Sequence, residues 1–155
     1  MSRISCKIDK NLNAFLDMIA VSEGTQSIGT DDGYNVLVGG TIFNGYADHP
    51  RTLVHIRNGL SSTAAGRYQL LSKYWDHYKK LLNLPDFSPE SQDKVAIQQI
   101  REFKALPLIE DGAFEQAVAR VSNLWASLPG AGYGQHENKI HDLIAAYQKA
   151  GGEIA

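Results

Sequence analysis

The stretch Asn11-Leu-Asn-Ala-Phe-Leu-Asp-Met-Ile-Ala-Val-Ser-Glu-Gly24 decides how the chain folds. Its large apolar residues recur at helical spacing, at Leu12, Phe15, Leu16 and Ile19. This pattern predicts an amphipathic first helix over Asn11–Ser22, closed by Glu23 before a glycine typical of a C-cap. The partial negative charge at a helix C-terminus disfavours a carboxylate, so we expect a raised pKa for Glu23. A carboxyl group that keeps its proton near neutral pH is suited to general acid catalysis.

The remainder of the chain predicts an α+β fold. Residues 24–62 contain glycine-punctuated β-prone runs, at Tyr34–Val38, Thr41–Phe43 and Leu53–Ile56. Helical patterns then follow through Leu70–Leu82, from Ser88-Pro89 to the interruption at Pro107, over Ala113–Leu124, and in a last helix ending at Gly151-Gly152. We therefore expect a single domain over residues 1–155, with a small antiparallel β-lobe inserted at 24–62 and a poorly ordered tail at 1–10. A cleft between lobe and helical body would have Glu23 at its floor.

Composition narrows the classes of protein. The chain has 155 residues, 43% hydrophobic and 21% charged, with a formal net charge of -2. That balance suits a globular domain and gives no basic surface for nucleic acid. Cys6 is the only cysteine, which excludes an internal disulfide. We expect neither a signal peptide nor a membrane span, so a protein acting outside the cytoplasm would need another component for its release.

Four ordered segments resemble the lambda-type phage endolysins, a family of soluble lytic transglycosylases. They are Phe15-Leu-Asp-Met-Ile-Ala-Val-Ser-Glu-Gly24, Gly33-Tyr-Asn-Val-Leu-Val-Gly-Gly40, Ala65-Gly-Arg-Tyr-Gln-Leu-Leu71 and Asn123-Leu-Trp-Ala-Ser-Leu-Pro-Gly-Ala-Gly-Tyr-Gly-Gln135. The resemblance covers roughly residues 13–152 and implies a lysozyme-like fold. Two departures are a shorter stretch between Glu23 and Gly33, and Asn35 where the family pattern has an Asp.

The resemblance implies an enzyme that cleaves the β-1,4 bond between N-acetylmuramic acid and N-acetylglucosamine and leaves a 1,6-anhydromuramoyl end. The family's catalytic acid maps onto Glu23. Substrate contacts are expected from Tyr34, Arg67, Tyr68, Gln69, Tyr133 and Gln135. Tyr68 also suits core packing, and Arg67 also suits an ion pair. The partner is a peptidoglycan strand, and a monomer without cofactor or metal, released from the host cytoplasm to the wall by a holin, is expected.

A hydrolytic muramidase is the alternative, because hydrolases usually employ two carboxyl groups. Asp32 follows Glu23 by nine positions, as in muramidases with a Glu–Asp–Thr trio, but Val38 stands where the Thr is expected. Asp31-Asp32-Gly33 is also a good turn sequence. We therefore favour a turn over a second catalytic carboxyl group.

Two further classes remain open: a zinc-dependent wall amidase and a non-catalytic sugar-binding module. The histidines lack the spacing of a zinc site, and solvated surface positions are expected for all of them: His49, His55, His77, His136 and His141. The intact Ser22-Glu23-Gly24 segment favours an enzyme over a binding module.

Overall fold

The computed structural model describes residues 2–3, 9–134 and 136–155. Within these ranges the fold is α+β, as predicted, with six helices and a two-stranded antiparallel sheet. The elements are α1 (Lys10–Glu23), β1 (Val54–Arg57), β2 (Leu60–Ser62), α2 (Ser72–Leu81), α3 (Pro89–Glu102), α4 (Leu106–Glu110), α5 (Phe114–Val121) and α6 (Ile140–Lys149). In the described part of the chain, no helix has both the length and the apolar character that crossing a membrane demands.

Local capping fixes both ends of α1. The Asp9 carboxylate accepts hydrogen bonds from the backbone N–H groups of Asn11 and Leu12, which satisfies donors that the first turn leaves open. At the other end Gly24 adopts a left-handed φ of 77°, and its N–H reaches the carbonyls of Ala20 and Val21. Glu23 is therefore held as the last helical residue. The tail predicted over residues 1–10 lies largely outside the described residues.

Helix α1 is the centre of the helical body and is buried on almost every side. Its apolar residues pack against α4, α5 and α6, in a core that includes Phe15, Phe114 and Tyr147. The prediction of a simple amphipathic helix was wrong in this respect. Polar side chains on its other faces are buried too, because each finds a partner elsewhere: Asn11 bonds the Ile109 carbonyl, and Asp17 pairs with a buried arginine.

The later helices follow the sequence pattern. Ser88 caps α3 by accepting from the Ser91 N–H, and Pro89 occupies the first helical position. Trp75 and Tyr78 form the buried face of α2, within the helical pattern predicted over Leu70–Leu82. Pro107 does not simply interrupt a helix, since it lies in the first turn of the short α4.

The lobe contains less strand than predicted. The hairpin β1–β2 agrees with the run at 53–56, with Val54 opposite Ser62 and an irregular register between His55 and Arg57. The strands predicted at Tyr34–Val38 and Thr41–Phe43 are absent and leave isolated bridges, such as Val36 to Ile42. The reason is that the first segment divides its hydrogen bonds between two partners, residues 41–43 and 64–66, so neither ladder grows.

A second core cluster, centred on Trp75 and Phe87, lies beneath the lobe. His49 packs against the Phe87 ring at 4.9 Å and is buried, so its predicted surface position was wrong. Its Nδ1 accepts from the Arg51 N–H, which leaves Nε2 to donate to the Leu70 carbonyl at 2.8 Å. Burial lowers the pKa of His49, and the neutral ring fits both contacts.

Candidate active site

Glu23 lies at the C-terminus of α1, half-buried at the junction of the helical body and the lobe. Burial raises its pKa from 4.5 to about 7, against the lowering effect of a hydrogen bond from the Ser127 side chain. The predicted rise in pKa is confirmed, and loss of hydration is its main cause. Near neutral pH this carboxyl group can therefore both donate and accept a proton.

A pocket of about 210 Å³ opens at Glu23. It is lined by Gly24, Thr25, Ile28, Val36, Leu37, Gly39, Gly40 and Gln69. Glu23 is the only carboxyl group in this lining, so the described part of the pocket offers one acid and mostly apolar or backbone surface.

Gln69 joins this pocket to a neighbouring groove of about 310 Å³, which is also lined by Tyr74, Tyr78 and Asn123. Its side-chain amide nitrogen donates to the carbonyls of Val36 and Gly66, at 3.1 and 2.9 Å. Both N–H donors of this amide are therefore engaged within the protein. Its carbonyl oxygen is the group suited to accept a bond from a ligand.

The turn carrying Gln69 is anchored to α3 through Gln92. The Gln92 side chain accepts from the Arg67 N–H at 2.9 Å and donates to the carbonyls of Tyr34 and Phe87. Gly66 approaches Gln92 so closely that a Cβ would lie 2.4 Å from its Oε1 atom. A glycine with φ of 88° is therefore required there, and it sets the path of the turn.

Arg67 and Tyr34 were expected to contact substrate, but the structure buries both side chains completely. Arg67 donates to Asp17 at 2.7 Å and to the Asp32 carbonyl at 2.9 Å, which agrees with the alternative of an ion pair. Tyr34 donates to Asp93 at 2.9 Å. These groups have no surface to offer a glycan, because their hydrogen bonds and packing are used inside the protein. We therefore assign both side chains a structural role in the interior, instead of the predicted contact with substrate.

Tyr68 belongs to the same network. It is almost fully buried, and its hydroxyl donates to Asp93 at 2.6 Å and accepts from Arg67 at 3.0 Å. Its ring packs edge-on against Tyr34. The core-packing alternative thus fits Tyr68 better than stacking on a sugar, although the residue forms part of the groove wall.

The loop after α5 carries the other predicted aromatic contact. Tyr133 is 55% exposed, and its hydroxyl donates to the Asn123 carbonyl at 2.8 Å. The Glu137 carboxylate closes the loop by accepting from the N–H groups of Gly130 and Gly132, both at 3.0 Å. Tyr133 therefore presents an accessible ring next to Asn123, which lines the groove. Gln135, predicted to bind substrate, lies outside the described residues.

One buried contact ties this segment to the Gln69 turn. The indole N–H of Trp125 donates to the Tyr68 carbonyl at 2.9 Å, and Trp125 itself is buried. This hydrogen bond directly connects the segment that precedes the glycine-rich loop at residues 130–134 to the turn that carries Gln69.

Asp31 and Asp32 are engaged away from the Glu23 pocket. Asp31 bonds Arg3, and it accepts from the Tyr46 hydroxyl at 2.5 Å. The Asp32 carboxylate lies 3.6 Å from the Arg67 guanidinium, and its backbone has the positive φ of a turn residue. This placement favours the turn interpretation over a second catalytic carboxyl group.

Sequence reasoning missed the side chains that surround the end of α1. Ser22 Oγ lies 2.8 Å from Ser127 Oγ, and the Asn138 amide donates to Ser22 Oγ and to the Ser22 carbonyl, at 3.0 and 2.9 Å. Ser22 and Ser127 each lie in one of the segments that resemble the family, and this position is the sequence signal that could have indicated them. Among the described residues, no group of His, Cys, Asp and Glu side chains is arranged to hold a metal ion.

Comparisons with known proteins agree with this geometry. A family model described as Endolysin matches residues 13–154. The chain is 56% identical over 151 residues to the endolysin of Escherichia phage lambda, covering 96% of each chain. It is 50% identical over 155 residues to the endolysin of Escherichia phage P2, covering 92% of this chain and 94% of the relative.

Solved structures give the same answer. A structure of bacteriophage lambda lysozyme complexed with a chitohexasaccharide matches with a TM-score of 0.94 and 55% identity, over 97% of this chain and 99% of that one. A second structure of lambda lysozyme matches with a TM-score of 0.90 and 54% identity over the same shares. The chain belongs to the endolysin family of lambda type, whose members cleave bacterial peptidoglycan.

Proposed function

We propose that the protein is a lytic transglycosylase that cleaves the β-1,4 bond between N-acetylmuramic acid and N-acetylglucosamine and forms a 1,6-anhydromuramoyl end. The observation that carries this proposal is the single carboxyl group in the pocket, with a pKa of about 7. A hydrolase of the usual kind needs a second carboxyl group, and Asp31 and Asp32 are engaged elsewhere.

The chemistry requires one residue in two protonation states. Protonated Glu23 donates to the glycosidic oxygen as the C1–O bond breaks, and the leaving sugar carries that proton away. The resulting carboxylate then removes the proton from the C6 hydroxyl of the same muramoyl residue, whose oxygen bonds to C1. Because attack is intramolecular, its effective concentration is high and no water is consumed. Glu23 ends protonated, ready for the next bond.

Substrate contacts in this proposal come from the carbonyl oxygen of Gln69 and from the exposed ring of Tyr133. An N-acetyl group carries an N–H that the Gln69 oxygen can accept, and a sugar offers an apolar face to an aromatic ring. The lambda lysozyme structure solved with a chitohexasaccharide supports glycan binding by a cleft of this shape. Action on the wall by a monomer, after release by a holin, completes the proposal.

Product analysis tests it directly. Purified peptidoglycan digested with the protein should yield anhydromuramoyl fragments, lighter by one water than hydrolysed fragments in mass spectrometry. Glu23→Gln should remove activity, by at least about a hundredfold as for loss of a general acid, while Asp32→Asn should retain most of it. Reducing-end muramic acid as the main product, together with an inactive Asp32→Asn, would favour the hydrolytic muramidase.

A further inference from the structure

Thr25 connects the segments that carry two residues of the proposed function, Glu23 and Gln69. It follows Glu23 by two positions, and its buried hydroxyl donates to the carbonyl of Arg67, two positions before Gln69, at 2.7 Å. All three side chains, of Glu23, Thr25 and Gln69, line the same pocket. The hydroxyl of Thr25 therefore holds the end of α1 against the turn that carries Gln69.

The distances determine where the Thr25 hydroxyl proton goes. A hydroxyl has one proton to donate, and a backbone carbonyl can only accept. Thr25 Oγ1 lies 2.7 Å from the Arg67 carbonyl oxygen and 3.4 Å from the Ala20 carbonyl oxygen, so the proton goes to the nearer one. Gly33 packs closely on the hydroxyl, since a Cβ built there would lie 2.9 Å from Oγ1. The hydroxyl thus has little room to turn away from Arg67.

Both ends of this hydrogen bond are held by further hydrogen bonds. The Thr25 N–H donates to the Ala20 carbonyl at 3.2 Å, and the Thr25 carbonyl accepts from the Gly29 N–H at 3.1 Å. On the other side, the Arg67 N–H donates to the Gln92 side chain at 2.9 Å. Because neither end belongs to a loose loop, the hydroxyl fixes the position of one segment relative to the other.

We propose that Thr25 is a positioning residue, whose hydroxyl sets the placement of Gln69 relative to the Glu23 carboxyl group. The inference rests on the proposed function in taking Glu23 as the acid and Gln69 as a substrate contact. Without the hydroxyl, the buried Arg67 carbonyl loses this donor, and the cost favours a shift of the turn towards another donor. A sugar held by Gln69 would then present its glycosidic oxygen to Glu23 in the wrong place, and small misplacements of this kind greatly lower the rate.

The test uses three substitutions at Thr25 and a matched control. Thr25→Val and Thr25→Ala both remove the hydroxyl, the first with the shape of the side chain retained, whereas Thr25→Ser retains the hydroxyl. Thr63→Val is the control, because the Thr63 hydroxyl accepts from the Ser72 N–H at 3.0 Å and Thr63 is not among the described residues that line the pocket or the groove. Thermal unfolding shows that each variant is folded at the assay temperature. Cleavage of soluble peptidoglycan fragments gives kcat and KM, and calorimetric titration with chitohexasaccharide gives the binding affinity.

Thr25→Val and Thr25→Ala should lower kcat by about tenfold or more, since the acid and the bound sugar are misaligned. KM and the affinity for chitohexasaccharide should change by less than about threefold, because Gln69 still binds the sugar and the loss falls on the transition state. Thr25→Ser should retain most of kcat, and Thr63→Val should leave kcat unchanged. In Gln69→Ala the contact that Thr25 positions is absent, so adding Thr25→Val should lower kcat less than it does alone.

The inference is overturned by an unchanged kcat in Thr25→Val and Thr25→Ala, by an equal loss in Thr25→Ser or Thr63→Val, or by full additivity with Gln69→Ala. Glu23→Gln separates this failure from failure of the proposed function. If Glu23→Gln keeps its activity, the proposed function is wrong whatever the Thr25 variants do. If Glu23→Gln is inactive and the Thr25 variants keep their kcat, only the role of Thr25 is wrong.

Discussion

At the scale of the single residue, burial of Glu23 has an energetic cost that depends on pH. Its pKa is about 7 in the folded protein against an ordinary value of 4.5. Below the lower value both states are protonated and the cost is absent. As pH rises from 4.5 to 7, the folded state must either keep a proton that the unfolded state has lost or hold an unfavourable charge. Stability contributed by this residue is therefore lost in that window.

The corresponding prediction concerns Glu23→Gln. The difference between a pKa of about 7 in the folded protein and 4.5 in the unfolded chain corresponds to about 3 kcal/mol. Above pH 7 this substitution should raise the free energy of unfolding by up to that amount, and near pH 4 it should change the free energy of unfolding little. Urea unfolding at both pH values measures the difference. The exposed Glu115 provides the control, since Glu115→Gln should have no such pH dependence. Equal effects of the two substitutions at pH 8 would contradict the burial argument.

The Arg67 guanidinium stabilises the fold through a buried ion pair. The side chain is completely buried and pairs with Asp17, so Arg67→Met breaks a buried ion pair. We expect a loss of about 3 kcal/mol in the free energy of unfolding. Arg51 pairs with Asp48 and Asp76 at the surface, and Arg51→Met should cost less than about 1 kcal/mol. Chemical denaturation of both variants would test the contrast, and similar losses would contradict it.

At the scale of elements, the turn at residues 66–69 depends on its close approach to α3. Gly66→Ala should destabilise the protein by about 2–4 kcal/mol, since an alanine there adds a clash with Gln92 to the strain of a positive φ. Gly45 has a similar φ of 84° and no atom within 4 Å of a built Cβ. Gly45→Ala therefore measures the strain alone.

Gly66→Ala should have both the lower melting temperature and the lower lysis rate of the two glycine variants. Gly66→Ala should also reduce lysis, because Gln69 moves with the turn, whereas Gly45→Ala should retain it. A Gly66→Ala variant as stable as Gly45→Ala would show that Gln92 can shift without cost.

Elements with strong local signals could be predicted from sequence. Ser88-Pro89 specifies the start of α3 by a cap and a pre-set φ, and both are observed. The segment Tyr34–Val38 misled the prediction, because β propensity does not reveal that its hydrogen bonds are divided between two partners.

Glu23 could be placed because a helix end and a glycine are local features. Arg67 and Tyr34 could not, since burial depends on the partners Asp17 and Asp93, distant in sequence.

At the scale of the whole molecule, Asn11 connects the start of α1 to two distant segments. Its amide nitrogen donates to the Ile109 carbonyl at 3.2 Å, and its oxygen accepts from the Glu153 N–H at 3.0 Å. Asn11→Leu should cost about 1–3 kcal/mol, because two hydrogen bonds of a buried side chain are lost; the Ile109 carbonyl still accepts from the Gly112 N–H, whereas the Glu153 N–H loses its acceptor. Asn44→Leu, at an exposed position, is the control. Hydrogen exchange at Glu153 should accelerate in Asn11→Leu only.

The hydrogen bond from the Trp125 indole to the Tyr68 carbonyl directly connects two segments that line the groove, residues 68–71 and 123–125. The effects of substitutions in the two segments on activity should therefore not be additive. Engineering this protein to accept a broader or narrower range of cell walls would require changing both segments together while keeping the tryptophan.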